Sequence, residues 1–106
     1  MLPKHLTNPT ARVANQLLMM ILDVHRLAVR RGFGKHTTVK NLIHNYNYVL
    51  HGRQCTNPRA DKYRAGAIKD LRRCLTIIAP RVGENVTRRL TESIDVIDSS
   101  LRLLRA

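Results

Sequence analysis

Tryptophan is absent from this chain, and phenylalanine occurs once, beside three tyrosines. With so few large rings, any core must be built mainly from Leu, Ile, Val, Met and Ala. Cysteine is nearly as scarce. Cys55 and Cys74 are the only two and form no CxxC pair. A small disulfide-stapled secreted domain ordinarily carries more, evenly paired, so both are expected to be free thiols in a reducing compartment. Long apolar runs are also missing. The longest, Leu17-Leu18-Met19-Met20-Ile21-Leu22, ends at Asp23, far short of the ~20 residues that span a bilayer. The N-terminal stretch MLPKHLTNPTAR lacks the charged-then-apolar order and small-residue cleavage site of a secretory signal. A cytoplasmic protein is expected, with no membrane partner.

Acidic residues are the most telling shortage. Seven Asp and Glu stand against 19 Lys and Arg, a net charge of +12. The imbalance is uneven: residues 1–80 hold 14 basic and 3 acidic groups, residues 81–106 hold 5 and 4. Helices need no such excess to fold, and self-repulsion opposes the compact state. A field of this sign attracts polyanions, nucleic acid before an acidic protein surface. The shortage also bears on catalysis. Glu84, Glu92, Asp95 and Asp98 cluster in the final segment, where they read as solubilising charge or as partners of Arg88 and Arg102. No nucleophile stands beside an evident base. Neither an enzyme nor a cofactor is expected.

What the chain does contain is helical punctuation. Its 106 residues, 43% hydrophobic and 25% charged, suit one globular domain with a modest core. The tripeptide Thr-Asn-Pro occurs at 7–9 and again at 56–58. Asn is a favoured helix N-cap, and Pro is favoured at the first helical position, where its missing N–H is not needed. The first tripeptide predicts a helix over 9–31, stopped by Gly32 with Arg30 and Arg31 at its negative end. The second predicts a helix over 58–78, closed by Pro80. Between them Thr37 or Thr38 caps a helix reaching His51 and stopped by Gly52; a last helix runs from Val82 or Glu84 to Leu104. No segment alternates as a strand does. The fold class is therefore all-α, a small bundle of about four helices built as two helix–loop–helix units. At the 49-residue offset Gly34 aligns with Gly83 and Ala11 with Ala60 but little else matches, so two independent uses of one cap explain the repeat better than duplication.

Apolar spacing assigns the inner faces. Val39, Leu42, Ile43, Tyr46, Val49 and Leu50 share one side of the second segment. Val82, Val86, Leu90, Ile94, Ile97, Leu101 and Leu104 share one side of the fourth. The first segment is apolar over more than half its circumference, leaving a strip of Arg12, Gln16, Asp23, Arg26 and Arg30, and is expected to be the most buried, central helix. His25 falls on its inner face and reads as a hydrogen-bonded core residue; Cys74 on the third segment reads as core as well.

The third segment carries the chemistry. Tyr63, Ala67, Leu71, Cys74, Leu75 and Ile78 form its apolar side. Opposite them Arg59, Lys62, Lys69 and Arg73 fall within an arc of about 80° at 3.6 residues per turn, with Arg72 beside it and Gly66 inside it. Such a stripe suits backbone phosphates, which position a protein without reading sequence, although many charge runs are simply solvated faces. Lys35, Lys40 and Arg53 are further candidate cations. The outer face of the second segment, in HNYNYVLH, offers His44, Asn47, Tyr48 and His51, hydrogen-bonding groups with one ring able to stack on an unpaired base. RRGFGKHTT at 30–38 fails as a nucleotide-triphosphate loop, because position 29 is Val where Gly is needed and no strand precedes it. His44, His51 and Cys55 match no zinc spacing, and no metal is expected. Val96 and Leu103, seven apart and off the inner face of the fourth segment, are candidates for a homodimer or partner contact.

Two functions use the same charge. One is a non-enzymatic DNA- or RNA-binding protein contacting phosphates through its cationic helix. The other is an adaptor or inhibitor, of the phage or plasmid type, that docks through its basic face on an acidic surface of a host nucleic-acid-processing enzyme.

Overall fold

The computed structural model describes residues 8–105, which form four helices: α1 (Pro9–Arg30), α2 (Thr37–His51), α3 (Pro58–Val82) and α4 (Glu84–Arg105). The all-α expectation holds. The reading of the extreme N-terminal sequence falls largely on residues outside those described. Both Asn-Pro starts act as expected. Asn8 Oδ1 accepts from the backbone N–H of Thr10 at 2.9 Å and of Ala11 at 3.3 Å, and Asn57 Oδ1 accepts from Ala60 N–H at 2.8 Å.

Other boundaries differ. The cap of α2 is His36, whose Nδ1 accepts from Thr38 N–H at 3.2 Å, and not Thr37 or Thr38. Helix α3 does not close at Pro80 but continues to Val82. Proline removes one N–H and so deprives the carbonyl four residues earlier of its donor. Here that residue is Thr76, which is exposed like Pro80 itself, so water can hydrate the freed carbonyl. The stop is Gly83 at φ +86°, in the left-handed region where a side chain would be strained. Gly32 ends α1 similarly at φ +92°, while Gly34, the residue that aligns with Gly83, does not have positive φ. Residues 31–36 link α1 to α2, whereas Gly83 alone links α3 to α4. The two halves therefore turn differently.

Helix α3 packs antiparallel to both α2 and α4. Across α2 and α3, Tyr48 meets Tyr63 and Asn45 meets Asp70; across α3 and α4, Arg72 meets Asp95 and Asp98. Helices α1 and α3 each touch the other three, while α2 and α4 do not pack on one another. The expectation that α1 alone is central is thus corrected: α3 shares the centre, because Ala60, Arg64 and Ile68 are buried in addition to its expected apolar face. The core is aliphatic, with Leu17, Ile21, Leu42, Leu71, Ile78 and Ile94 fully enclosed. At 1.5 Å per residue α3 is about 37 Å long, and it accounts for most of the 43 Å long axis.

Three inner-face expectations change. His25 is only half-buried, as are Leu22 and Leu27, because the enclosed face of α1 narrows toward its C-terminal half to Val24 and Ala28. Leu104 remains 39% exposed, at the rim of a small crevice with Thr10 and Arg64 where α4 ends against the start of α1. Tyr63 is half-buried and faces α2. Cys74 is in the core as expected, and burial, with the Asp70 charge adding to it, pushes its thiol up to about 12.

Arg64 is the unexpected core residue, 2% exposed in the middle of an otherwise apolar face. Its guanidinium donates to the Gly52 carbonyl at 3.2 Å, the Cys55 carbonyl at 2.9 Å and Asp61 Oδ1 at 2.7 Å. The α2–α3 linker is therefore clamped onto α3. Removing the clamp takes its side-chain donor from the Cys55 carbonyl and its ion-pair partner from Asp61, while the Gly52 carbonyl keeps the Cys55 N–H at 2.9 Å; a hydrogen bond to a charged group contributes about 1.5–3 kcal/mol. Arg64→Ala is expected to lower unfolding free energy by about 2–4 kcal/mol, read by urea denaturation.

A second polar connection ties α3 to α4. Arg72 donates to Asp95 at 2.7 Å and to Asp98 at 3.2 Å, and Arg102 also reaches Asp98. Burial by itself would raise the Asp98 carboxyl, but hydrogen bonds from Arg72 and Arg102, together with their charges, outweigh it and hold the group below its ordinary value. The depressed value means this contribution is present above the ordinary carboxylate range and is lost as pH falls through the folded-state value. Asp98→Asn should cost about 1 kcal/mol at neutral pH, with the variant and the parent converging in stability as acid protonates Asp98.

Candidate nucleic-acid interface

The outward face of α3 has tied edges and a free middle. On the side of α4, Arg72 is drawn to Asp95 and Asp98, and these hydrogen bonds hold its guanidinium firmly charged and raise its pKa. Arg72 is therefore withdrawn from the proposed partner contact: α4 supplies two carboxylates to its side of α3. On the side of α2, Asn45 donates to the half-buried Asp70, which also receives Arg73 at 3.6 Å. Between these edges Arg59, Lys62 and Lys69 are exposed, and no carboxylate among the described residues lies within ion-pair distance of them. Arg73 is 61% exposed despite its long contact with Asp70. From Arg59 to Arg73 the row runs about 21 Å by helical rise, the length of about six phosphates on one strand at ~3.4 Å each.

Gly66 sits in this row between Lys62 and Lys69. A Cβ built there meets nothing within 4 Å, so neither tight packing nor a special backbone angle requires glycine. Glycine inside a helix costs roughly 0.5–1 kcal/mol relative to alanine. The gap it leaves opens on solvent along the cationic row.

Helix α2 contributes a parallel stripe. Lys40, His44, Asn47, Tyr48 and His51 are all exposed, as the sequence led us to expect. Tyr48 stacks on Tyr63 of α3, ring centroids 4.6 Å apart and planes 13° from parallel. Beside this pair lies a shallow cleft of about 220 Å³, lined by Tyr48, His51, Cys55, Arg59 and Tyr63 among others. The fold thus brings three expected site residues, Tyr48, His51 and Arg59, to one place. Tyr63 and Cys55 join them without having been assigned there. The i, i+4 spacing of Arg59 and Tyr63 was visible, but the register of α2 on α3 that completes the cleft was not.

Two expected cations belong elsewhere. Arg53 folds back to donate to the Leu50 carbonyl at 3.1 Å, satisfying the last turn of α2, and is half-buried. Lys35 is exposed in the α1–α2 linker, at the opposite end of α2 from the tyrosine pair. Val96 and Leu103 are exposed at 63% and 77%. Val96 shares a shallow groove with Met19 and Met20 of α1, to which α3 contributes no wall. Met19, itself 60% exposed, was hidden in the sequence by its position inside the longest apolar run.

Among the described residues no group of three or more His, Cys, Asp and Glu is arranged to hold a metal ion, and no helix is long and apolar enough to cross a membrane. No family model, curated protein or solved structure matches the chain.

The open space at Gly66 makes a stability prediction. Gly66→Ala should raise unfolding free energy by about 0.5–1 kcal/mol, read as a higher urea midpoint at unchanged slope.

Proposed function

We propose that this protein is a non-catalytic, accessory nucleic-acid-binding protein that lays the outward face of α3 along backbone phosphates. The observation that carries the reading is the row of Arg59, Lys62 and Lys69, exposed and unneutralised while the nearby carboxylates engage Arg64, Arg72 and Arg73. Unpaired ammonium and guanidinium groups on one rigid helix are preordered for a polyanion, and each phosphate they neutralise releases a counterion. Lys40 on α2 extends the positive surface sideways, with the exposed His44 one turn further along. Gly66 leaves room for a close backbone approach at the centre of the row.

A different observation favours the second reading, docking on an acidic face of a nucleic-acid-processing protein. The exposed apolar residues Met19, Val96 and Leu103 lie off α3 and would give such a partner a separate hydrophobic foothold, or serve a homodimer.

Lys62→Glu with Lys69→Glu tests the first reading, since neither residue has an ion pair to lose. Binding of duplex DNA, single-stranded DNA and RNA is followed by mobility shift across a salt series. With three or four phosphate contacts the parent should weaken on the order of 50-fold between 50 and 200 mM salt. The double variant should bind at least tenfold more weakly, with a shallower salt slope and an unchanged helical circular-dichroism spectrum. Undiminished binding by the variant would remove α3 from the interface. Failure of the parent to retain any nucleic acid at moderate salt would favour the protein partner.

A further inference from the structure

We infer that the cleft at the junction of α2 and α3 is a seat for one unpaired nucleobase, so that the nucleic acid this protein takes is single-stranded. The inference rests on the phosphate-binding reading of α3 and adds to it which form of nucleic acid is bound.

Continuity is the first ground. Arg59 belongs both to the cationic row and to the cleft wall, so a strand following the phosphate row from Lys69 through Lys62 arrives at the tyrosine pair. The second ground is the pair itself. Tyr63 covers one face of Tyr48 in a near-parallel stack, yet Tyr48 remains 51% exposed. Its position is set by its neighbour, so little side-chain freedom is lost when a further ring is added to the stack. Inside a duplex both faces of each base are already covered by its neighbours; away from duplex ends, an unpaired base is needed to offer a face to Tyr48.

Size and edge chemistry agree. The cleft, at about 220 Å³, falls below the roughly 300–1,000 Å³ of sites that enclose a drug-sized ligand. A single planar ring fits, with its phosphate left outside on Arg59. His51 stands at the rim, where its imidazole can hydrogen-bond a base edge. The floor is held in place by the Arg64 clamp, which fixes the carbonyls of Gly52 and Cys55 and so the course of the linker under the cleft. The site is therefore formed before the strand arrives.

The test separates bases from phosphates. Affinities are measured by fluorescence anisotropy for a labelled oligothymidine strand, an oligouridine strand, an abasic strand of the same length and phosphate count, and a blunt duplex. The parent is expected to bind the two base-bearing strands on the order of tenfold more tightly than the abasic strand. Tyr48→Ala should abolish that preference while leaving abasic affinity nearly unchanged and the helical circular-dichroism spectrum intact, with a thermal midpoint lowered only by the loss of its stack on Tyr63. Tyr48→Phe should keep it. Equal binding of base-bearing and abasic strands by the parent overturns the nucleobase seat while the phosphate row stands, and so does a preference that survives in Tyr48→Ala. Binding of no strand at all overturns both.

Discussion

A chain with 7 carboxylates and 19 Lys and Arg side chains can neutralise only a minority of its cations, and the packing of α3 between α2 and α4 decides which. Helix α4 carries Asp95 and Asp98 to Arg72. Helix α2 presents Asn45 to Asp70, and Asp61 is drawn to Arg64 within α3 itself. Every carboxylate near α3 therefore lies at an edge of its outward face or beneath it. What is left in the middle is unopposed positive charge on a rigid rod. Self-repulsion along that rod is a standing cost to the fold, of the kind a bound polyanion would relieve.

Arg64 belongs to the same economy of charge but serves a different end. A buried guanidinium is costly to desolvate unless its donors are satisfied; here two linker carbonyls and a carboxylate do so. The result is a linker with a defined course, from the end of α2 at His51 to the Asn57 cap. That course fixes the register in which α2 lies on α3, and the register stacks Tyr48 on Tyr63. One buried cation thus shapes the wall on which an exposed cation, Arg59, stands.

The helices themselves are local matters, and most were legible. Two Asn-Pro caps, glycines at 32 and 52, and the 3.6-residue spacing of aliphatic residues suffice to mark four helices and most of their buried sides, because capping and amphipathicity act within a few turns. The errors came where local rules compete with surroundings. Pro80 is tolerated because Thr76, whose carbonyl it deprives of a donor, is exposed to water. His36 caps α2 because its imidazole Nδ1 is within reach of Thr38, ahead of the expected threonines. Arg64 is not marked as a core residue by the sequence, where nothing shows that two linker carbonyls await it.

The sequence by itself determined the helical class, the two caps, the excess of positive charge and the single cationic stripe along residues 59–73, all of which follow from composition and from spacing within one helix. Only the tertiary structure decided that Arg72 and Arg53 leave the candidate surface, that Met19 joins Val96, and that Tyr48, Tyr63, His51 and Arg59 meet in one cleft. Those outcomes depend on which residue of one helix lies against which residue of another. That register is set by packing and by the Arg64 clamp, across distances along the chain that periodicity does not span.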